Sequence, residues 1–422
     1  MKADLRNTGA RDLAMAGPLR PNDRSSIRRG NLGLVLRLLR DEGARSRARL
    51  AVDTGLPKAT VSSLIAELVE LGLVREGEVE REGAVGRPGL AVEIDGRGVC
   101  GIGVEINVDY LSSIALDLRG ELRAEHRIGL DVRAAEPEAV LDEAAALVRQ
   151  TMAELDADAI RTVGVALAAP GVIDLGRGAV NYASNIGWRD VPARTGLAER
   201  LGPDAPEVHI ENDAKLGAIA EYLALTDPDV HDLLYLTGET GVGAGIIAGG
   251  RLLRGTAGYA GEVGHLPLGP NGYPCSCGRR GCWETMVGLA ALLRAAADPG
   301  DEVWDPSIDL EQRLAELLRR ARSGDRRTLA ALDGIAAALG PGIAMLVDVL
   351  NPRLLVLGGH FAFFGEYLID KVRDTMHAAV MAPDAGGCEI VLSPLGFTAA
   401  ARGGAYLALD TVYEDPGALA RS

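Results

Sequence analysis

Four side chains that can bind a metal ion lie close together in the second half of this 422-residue chain. They are His265, Cys275, Cys277 and Cys282. Three thiolates and one imidazole complete a tetrahedral set of soft ligands, which is the environment that a structural zinc ion prefers. Glycines between the cysteines allow the loop to curl round an ion. The spacing therefore predicts a structural zinc site, and the alternative is a group of thiols buried in a core.

A short polar face is predicted on a helix near the N-terminus. Apolar residues recur at helical spacing from Val61 to Leu71, and Pro57 suits the first turn of the helix that they predict. The opposite face carries short or cationic side chains: Lys58, Ala59, Thr60, Ser62 and Ser63. A helix with such a face can lie close to the major groove of DNA and meet the edges of the bases. We therefore expect the lysine, the threonine and the two serines to contact DNA.

Two more helices and a hairpin complete this N-terminal module. Leucine and valine recur at helical spacing from Asn31 to Arg40, Ser46 can cap a second helix that runs to Thr54, and residues 73–95 alternate as a hairpin with a glycine-rich tip. This order is typical of a winged helix-turn-helix. Arginines at the second helix and at the tip of the wing are expected to contact phosphates. They are Arg45, Arg47, Arg49 and Arg87. The alternative is a module for dimerisation or docking whose polar face is merely solvated.

The charge of the chain is unevenly distributed. Residues 1–98 hold 17 Lys and Arg against 14 Asp and Glu, whereas residues 99–422 hold 27 against 45. Electrostatic attraction is local, within a screening length of about 10 Å. A slightly basic module in front of an acidic body is therefore expected when only the module touches phosphates. Ordinary variation between domains is the alternative explanation.

The remainder of the chain alternates apolar strands with amphipathic helices. Strands are predicted at 99–106, 111–118, 161–168, 206–211, 232–237, 243–248 and 353–357, and helices at 136–155, 213–225, 285–297 and 327–350. Strands joined by hairpin turns come first, then strands alternate with helices, and then the same order of elements returns. This order predicts two similar α/β lobes that face a cleft.

Several motifs of the large body resemble those of a known family. The run 261–265 and the pattern Cys-x-Cys-Gly-x-x-Gly-Cys-x-Glu, which ends at Glu284, resemble the signature of the ROK family of repressors, open reading frames and sugar kinases. Residues 211–213, Glu-Asn-Asp, resemble the catalytic and sugar-contacting segment of that family, and residues 184–188 resemble its earlier sugar-contacting loop. The resemblance spans roughly residues 27–422.

This resemblance implies an α/β body with an actin-like, two-lobed sugar-kinase fold behind the winged helix-turn-helix. We expect a disordered tail over residues 1–26, a DNA-binding domain over 27–95, a first lobe over 96–210 and a second lobe with the zinc loop over 211–399. A C-terminal helix over 400–415 is expected to join the first lobe. The attached winged helix is typical of the repressor branch of the family.

The resemblance also implies a binding site for a monosaccharide. Sugar hydroxyls both donate and accept hydrogen bonds, so a selective pocket needs inward carboxylates and amides, and a buried group left unpaired costs about 1–3 kcal/mol. Suitable groups are Asn185, Asn212, Asp213, Glu262, His265 and Glu284. One ring nitrogen of the histidine would bind zinc while the other donates to a sugar hydroxyl. A turn role for the first asparagine and solvated surface positions for the two glutamates are the alternatives.

Phosphoryl transfer would require loops that hold the phosphates of a nucleotide. Asp213 lies at the general-base position of the family, and residues 240–245, Thr-Gly-Val-Gly-Ala-Gly, resemble its second phosphate loop. The first loop, Asp-x-Gly-Gly-Thr-Lys in the kinases, is replaced by residues 103–108, Gly-Val-Glu-Ile-Asn-Val. The carboxylate of Glu105 would repel phosphate, and larger side chains would block the close approach of the backbone. We therefore expect poor ATP binding and no catalytic residue.

These patterns predict a sugar-responsive transcriptional regulator, and a repressor in particular, that binds operator DNA and a monosaccharide effector. A sugar kinase with an appended DNA-binding domain is one alternative, and a DNA-binding protein that ignores sugars is another. One module covers only a half-site, so a homodimer or homotetramer is expected. Neither a run of 18 apolar residues nor a secretory signal occurs, and five cysteines are too few for a disulfide scaffold. We therefore expect a cytoplasmic protein with no membrane partner.

Overall fold

The computed structural model describes residues 24–79, 90–269, 272–382 and 387–420. Its N-terminal module combines three helices with a three-stranded sheet. In chain order the elements are α1 (Arg24–Glu42), β1 (Arg45–Ser46), α2 (Arg47–Thr54), α3 (Lys58–Glu70), β2 (Val74–Val79) and β3 (Leu90–Ile94). Strand β3 pairs antiparallel with both β1 and β2. This arrangement confirms the helix-turn-helix that the periodicity predicts.

The first helix begins earlier than its apolar spacing predicts. Helix α1 starts at Arg24 rather than near Asn31, so it includes the last residues of the expected tail, and residues 1–23 lie outside the described part of the chain. The additional turns contain Arg28, which forms an ion pair with Glu67 of α3. The longer helix α1 therefore gains a contact with α3, which hydrophobic periodicity alone does not predict.

The first lobe of the body is built on a five-stranded sheet. Its elements are β4 (Val99–Ile106), β5 (Tyr110–Asp117), β6 (Leu122–Gly129), α4 (Pro137–Ala157), β7 (Arg161–Ala169), β8 (Val172–Asp174), β9 (Ala179–Ala183), β10 (Trp188–Val191), α5 (Ala193–Leu201) and β11 (Val208–Asn212). The sheet has the strand order β11-β7-β4-β5-β6, and β8, β9 and β10 form a separate small sheet. Strands β4 and β5 are buried along their whole length, which explains why β4 has almost no polar residues.

The second lobe contains another five-stranded sheet and most of the helices. Its elements are α6 (Asp213–Ala224), β12 (Leu233–Gly238), β13 (Val242–Ala248), β14 (Arg251–Leu252), α7 (Glu284–Val287), α8 (Leu289–Ala296), α9 (Leu310–Arg322), α10 (Arg326–Leu350), β15 (Leu354–Gly359), α11 (His360–Phe363), α12 (Gly365–Ala379) and β16 (Glu389–Leu392). The helix expected over 285–297 is two helices, because the backbone at Gly288 is extended (φ −70°, ψ 170°) and separates α7 from α8.

The two large sheets share one topology. In each, the first three strands form an antiparallel meander, and the fourth and fifth strands are added in parallel on the other side of the first. The orders are β6-β5-β4-β7-β11 in the first lobe and β14-β13-β12-β15-β16 in the second. This repetition confirms the two similar α/β lobes that the order of elements predicts.

The last long helix, α13 (Ala399–Glu414), packs against β4 and β7 of the first lobe and against α6 of the second. Two glycines allow these close approaches. A methyl group on Gly103 would overlap the carbonyl oxygen of Ala401, and one on Gly403 would overlap the carbonyl oxygen of Leu216. Helix α13 therefore contacts both lobes, whereas the sequence predicts only that it joins the first.

The N-terminal module is attached to the same helix. Apolar residues of α1, including Leu32 and Leu36, share one hydrophobic cluster with Leu409 and Tyr413 of α13. At the edge of this contact Arg37 lies 3.9 Å from Asp410. The module and the body are therefore joined by a common core rather than by a linker alone.

Helix α10 is long and apolar enough by composition to cross a membrane. Within the body it packs against α8, α9 and α12, and 61% of its most apolar 18-residue window is buried. These are the properties of a core helix in an α/β lobe.

Candidate functional site

A cavity of about 410 Å³ lies between the two lobes. Its walls include every side chain that the sequence predicts to bind a sugar. They are Asn185, Asn212, Asp213, Glu262, His265 and Glu284. These residues come from separate segments of both lobes, so tertiary packing brings them together.

Strand β11 and helix α6 meet at one wall of the cavity. The Oδ1 atom of Asn212 caps α6 by accepting a hydrogen bond from the amide of Lys215 (3.0 Å), and its Nδ2 donates to the carbonyl of Gly171 (3.0 Å). Asp213 follows in the first turn, and its Oδ1 accepts from the amide of Ala214 (2.7 Å). The amide of Asn212 is thus fixed by two backbone contacts, while Asp213 faces the cavity from the helix end.

Burial dominates the electrostatics of Asp213. Burial and the nearby charges of Glu239 and Glu262 together raise the pKa of Asp213 to about 7. A carboxyl group in that range exchanges its proton near neutral pH, so it can both accept and donate hydrogen bonds to a bound hydroxyl.

The opposite wall joins two loops. Ser276 donates a hydrogen bond either to Oδ1 of Asn185 (2.8 Å) or to the hydroxyl of Ser184 (3.0 Å). This contact ties the loop between β9 and β10 to the cysteine loop. Asn185 therefore lies in the cavity wall and is held by the cysteine loop.

The four predicted metal ligands come together beside this wall. Their ligand atoms all lie within 4.8 Å of one another. The Nδ1 of His265 is 3.5 Å from the sulfur of Cys275, and the sulfurs of Cys277 and Cys282 are 3.7 Å apart. In a tetrahedral site with metal–sulfur bonds of about 2.3 Å, two sulfurs lie about 3.8 Å apart. The donor set and its spacing therefore fit a tetrahedral metal ion.

The local backbone and charges also suit this role. Gly278 and Gly281 both have positive φ, 86° and 70°, where the loop folds back on itself. Burial opposes ionisation of all three thiols and raises the pKa of Cys275 and of Cys282, whereas hydrogen bonds from Arg279 lower the pKa of Cys277 to about 7. The thiolate is the form that binds metals.

Two glutamates lie between the metal ligands and the cavity. Glu284 is 7% exposed, and its Oε1 accepts a hydrogen bond from the thiol of Cys275 (2.8 Å) and lies 3.6 Å from Nδ1 of His265. Burial raises the pKa of Glu262, and the charges of His265 and Lys215 oppose that shift. Neither carboxyl is the solvated surface group that the alternative interpretation requires.

A hydrogen-bonded group that no sequence pattern predicts lies partly in the cavity wall, through Asn107 and Glu239. Glu105, Asn107, Tyr110 and Glu239 form a hydrogen-bonded set that we call the carboxyl bridge. Asn107 donates through Nδ2 to Glu105 (3.2 Å) and to Glu239, and the hydroxyl of Tyr110 lies 3.0 Å and 3.4 Å from the same two carboxyls. The first three residues belong to the first lobe and Glu239 to the second, so the bridge crosses the cleft.

The bridge is buried and acidic. Glu105 is 1% exposed, and burial, reinforced by neighbouring carboxylates, raises the pKa of both Glu105 and Glu239. The sequence contains one signal, a glutamate inside the otherwise apolar strand β4, and its residue type indicates only the loss of a phosphate loop. Tyr110 and Glu239 had no signal of their own.

The predicted DNA-contacting residues of α3 lie on the face away from the core. Lys58 and Ser63 are exposed, whereas Thr60 and Ser62 are half-buried. The opposite face of the helix is buried through Val61, Leu64, Ile65 and Leu68. Arg28 of α1 donates to the hydroxyl of Ser63 (3.2 Å), so this serine has a partner inside the module.

One arginine of the module, Arg45, lies in a different element from the one expected. Arg45 lies in β1 rather than in the second helix, and its guanidinium, 15% exposed, pairs with Glu42 and with Asp53 (2.7 Å). It is thus held inside the module by two carboxylates, a geometry that does not favour a phosphate contact. Arg47 lies at the start of α2, is 40% exposed and pairs with Glu76 (2.7 Å). Arg87 lies outside the described residues.

A helix-turn-helix joined to a two-lobed α/β body with a polar cleft defines a class of protein, the DNA-binding regulators built on a sugar-kinase-like fold. Residues 101–411 match the model of the ROK family, and residues 32–78 match that of the IclR helix-turn-helix domain. Because the first match covers well over half of the chain, the protein belongs to the ROK family.

Individual relatives include both regulators and kinases. The chain is 31% identical to the xylose repressor of Caldicellulosiruptor bescii over 352 residues, which are 82% of this chain and 86% of that protein. The fold matches that of a ROK family transcriptional regulator described as a homolog of the E. coli MLC protein, with a TM-score of 0.74, 23% identity, and coverage of 94% of this chain and 98% of the other.

The body alone also resembles an enzyme. A ROK family glucokinase from Streptomyces griseus, solved in complex with glucose and AMPPNP, matches with a TM-score of 0.64 and 27% identity. The match covers 74% of this chain and 99% of the glucokinase. The fold of the body is therefore common to repressors and kinases, and the chemistry of the cleft must distinguish them.

Proposed function

We propose that this protein is a sugar-responsive transcriptional repressor that binds operator DNA through α3 and a monosaccharide in the cleft, with each ligand weakening the binding of the other. The observation that carries this proposal is a cleft lined by carboxylates, amides and an imidazole in the same chain as an exposed helix with a cationic, hydroxyl-rich face. The similarity to a xylose repressor over most of both chains supports it.

The cleft suits a ligand with many hydroxyls. Asp213 and Glu284 supply carboxyl oxygens that accept hydrogen bonds, and Asn185 supplies an amide. Hydrogen bonds to charged groups contribute about 1.5–3 kcal/mol each. Asn212 acts mainly by holding the start of α6, because its side chain already bonds to two backbone groups.

Zinc is the ion that the Cys₃His set suits best. It would be held by His265 and by the three cysteines of the loop, and when bound it supplies a fixed anchor for that loop. Because Nδ1 of His265 is the nitrogen that lies near the Cys275 sulfur, Nε2 is the nitrogen left to donate to a sugar hydroxyl. The ion would therefore orient the imidazole without taking part in a reaction.

Operator binding is assigned to the exposed face of α3. Lys58 and Thr60 would meet the edges of bases or phosphates in the major groove, and Arg47 would meet the backbone beside it. One module covers one half-site, so the DNA-binding form is a homodimer or homotetramer in the cytoplasm. The slightly basic module and the acidic body are consistent with contact to DNA through the module alone.

A continuous packing path links the two sites. Helix α6, which starts at Asp213, packs on α13, and α13 shares a hydrophobic cluster with α1 of the module. A shift of α6 on sugar binding would therefore move the surface on which the module rests. If the sugar binds one arrangement about 100-fold better than the other, the equilibrium changes by up to about 2.7 kcal/mol.

Phosphoryl transfer is not expected of this cleft. Glu105 lies in the segment 103–108, which stands in place of the first phosphate loop, and Glu239 directly precedes the segment 240–245, which resembles the second. At the second segment the amide of Glu239 already donates to Gly241 (2.9 Å), and Gly238 and Val242 are paired across the hairpin. A sugar kinase remains the second candidate, because Asp213 lies at the general-base position and the body resembles a glucokinase.

Two measurements on the full chain test the proposal. A duplex selected from random DNA is titrated by fluorescence anisotropy with and without each of a panel of monosaccharides, and at least one sugar should weaken DNA binding by about 100-fold. An assay of ATP consumption with the same sugars should give no turnover. Turnover near 1 s⁻¹ or faster would establish the kinase, and DNA binding that no sugar alters would establish the sugar-independent alternative.

A further inference from the structure

The charged groups that line the cavity are predominantly acidic. Asp213, Glu239, Glu262 and Glu284 lie in its wall, whereas Arg279 and His265 are the basic residues among the described lining. Arg279 is exposed and donates to the sulfur of Cys277 (3.4 Å), so its positive charge lies beside the thiols.

Two other cations near the cleft are already engaged. The ammonium of Lys215 donates to the carbonyl of Gly258 (2.6 Å), and the guanidinium of Arg254 forms an ion pair with Glu211 (2.6 Å). Neither cation lines the cavity. A phosphate in the cleft would therefore find carboxyl groups on several sides and basic groups only beside the metal ligands.

The carboxyl bridge fixes the position of one of these acidic groups. Glu239 is held between Asn107 and Tyr110 of the other lobe, so it cannot move away from the cleft without breaking contacts between the lobes. Its charge acts on Asp213, the residue that faces the ligand from α6. A phosphate carried on a hydroxyl next to Asp213 would lie among these carboxyls, and like charges at short distance repel strongly where water is excluded.

We propose that Glu239, positioned by the carboxyl bridge, is a specificity-determining residue that excludes phosphorylated sugars, so that the effector of this protein is an unphosphorylated monosaccharide. The inference rests on the proposed function, since it names the class of ligand that the same cleft selects.

The ionisation of the carboxyls agrees with this choice. Burial raises the pKa of Asp213 to about 7 and that of Glu239 to about 8, so both carboxyls hold protons near neutral pH and the negative charge of the pair grows as the pH rises. Protonated and ionised carboxyls together offer both donors and acceptors to neutral hydroxyls. A phosphate offers mainly acceptors and adds negative charge. It could therefore bind only if the carboxyls of the cavity took up protons, or against their repulsion.

The test compares matched ligands on the full-length protein by isothermal titration calorimetry. Glucose, mannose and N-acetylglucosamine are each titrated beside their 6-phosphates, xylose beside its 1-phosphate, and 6-O-methylglucose serves as a neutral ligand with added bulk. For at least one pair the neutral sugar should bind, and its phosphate should bind at least about 100-fold more weakly. If 6-O-methylglucose is rejected as strongly as glucose 6-phosphate, size rather than charge selects the ligand and the inference is wrong.

Glu239→Gln removes the ionisable carboxyl while keeping an oxygen for the amide of Asn107. The titrations are made at pH 9, above the raised pKa of about 8, where the wild-type carboxyl carries its charge. The ratio of the two dissociation constants, phosphate to neutral sugar, should fall at least tenfold in this variant. Glu221→Gln is the matched control, because Glu221 is a buried carboxyl of α6 that accepts from Ser393 and does not line the cavity. Its ratio should equal that of the wild type. DNA binding of both variants reports that they are folded, and Glu105→Gln provides a second substitution within the bridge.

The possible results separate the inference, the role of the carboxyl bridge and the proposed function. A phosphate that binds as tightly as its parent sugar overturns the inference while leaving the proposed function intact. An unchanged ratio in both Glu239→Gln and Glu105→Gln shows that the carboxyl bridge does not select the ligand. If no sugar binds in either form, the proposed function itself fails.

Discussion

Helices α3 and α6 carry the two binding functions that we propose, and their N-terminal ends differ in burial, capping and charge. Helix α3 begins after Pro57 without a side-chain cap, has no acidic residue in its first turn and exposes Lys58. Helix α6 begins after Asn212, whose side chain caps it, and has Asp213 in its first turn. Nine of the twelve residues of α6 are buried, and Asp213 is half-buried.

Both helix ends carry the partial positive charge of aligned peptide dipoles. At α3 that charge is open to solvent and reinforced by a lysine, which suits the phosphates of DNA. At α6 the cap and the aspartate neutralise it, and burial removes water, which suits an uncharged ligand with many hydroxyls. With the proposed function, the same structural element would thus serve opposite ligands because its first turn and its burial differ.

The strongest change should follow from removing the acid at the buried end. Asp213→Ala should lower sugar affinity by about 100-fold, because it deletes an acceptor that can bond to more than one hydroxyl. Affinity for DNA without sugar should stay within about twofold, since α3 is untouched. Calorimetry and fluorescence anisotropy measure the two affinities, with Glu221→Gln as the control. A variant that still releases DNA at the wild-type sugar concentration would show that Asp213 is not part of the sugar site.

The next change concerns the loop that faces α6 across the cleft. Cys277→Ser should lose the bound metal, from about one ion per chain to nearly none, because a closed tetrahedral site needs all four ligands. Sugar affinity should fall about tenfold as His265 loses its fixed orientation. Elemental analysis and calorimetry measure both effects, and Cys388→Ser, which lies outside the cluster, is the control. Full metal occupancy in Cys277→Ser would disprove the ligand set.

At the exposed end, Lys58→Ala should weaken DNA binding by a smaller factor and leave sugar affinity unchanged. If Lys58 contacts a phosphate, the slope of log affinity against log salt should decrease in magnitude by about 1. Lys371→Ala is the control, because Lys371 lies on α12 of the body, where it pairs with Asp333. Equal salt slopes for Lys58→Ala and the wild type would remove this residue from the DNA-contacting face.

The smallest change is in the pH dependence of stability. Between the ordinary carboxyl pKa of about 4 and the raised value of about 7, the folded chain keeps a proton on Asp213 that the unfolded chain releases. Stability should therefore fall as the pH rises through this range. Asp213→Asn removes this effect. The melting temperature of the variant minus that of the wild type should therefore increase by about 2 °C or more between pH 5 and pH 8. A constant difference would show that this carboxyl is not held in a raised range.

Local patterns were sufficient for much of the architecture. The core face of α3 follows from apolar residues at helical spacing, and the capping of α2 by Ser46 follows from residue type. The cluster of one histidine and three cysteines was predictable because its four side chains lie within 18 residues of one another. In each case the interacting groups are near neighbours in the chain, so sequence spacing reports their distance in space.

The sequence did not indicate contacts that packing decides. Arg45 was predicted from its type to contact phosphate, and the fold places its side chain between Glu42 and Asp53. Helix 285–297 has continuous apolar spacing, but the chain turns at Gly288 to pack α7 and α8 separately. Periodicity does not report such contacts.

Residue types and short-range spacing were thus enough to predict a helix-turn-helix module, two α/β lobes, a loop that brings one histidine and three cysteines together, and the polar side chains that line the cavity. Folding alone linked Glu105 to Glu239 through Asn107, although the two glutamates lie in different lobes and far apart in the chain. Folding alone also placed α13 between α6 and the N-terminal module. The reason is physical: hydrogen bonds within a turn or helix depend on neighbours in sequence. The burial of charge and the contact of distant surfaces depend on how the whole chain packs.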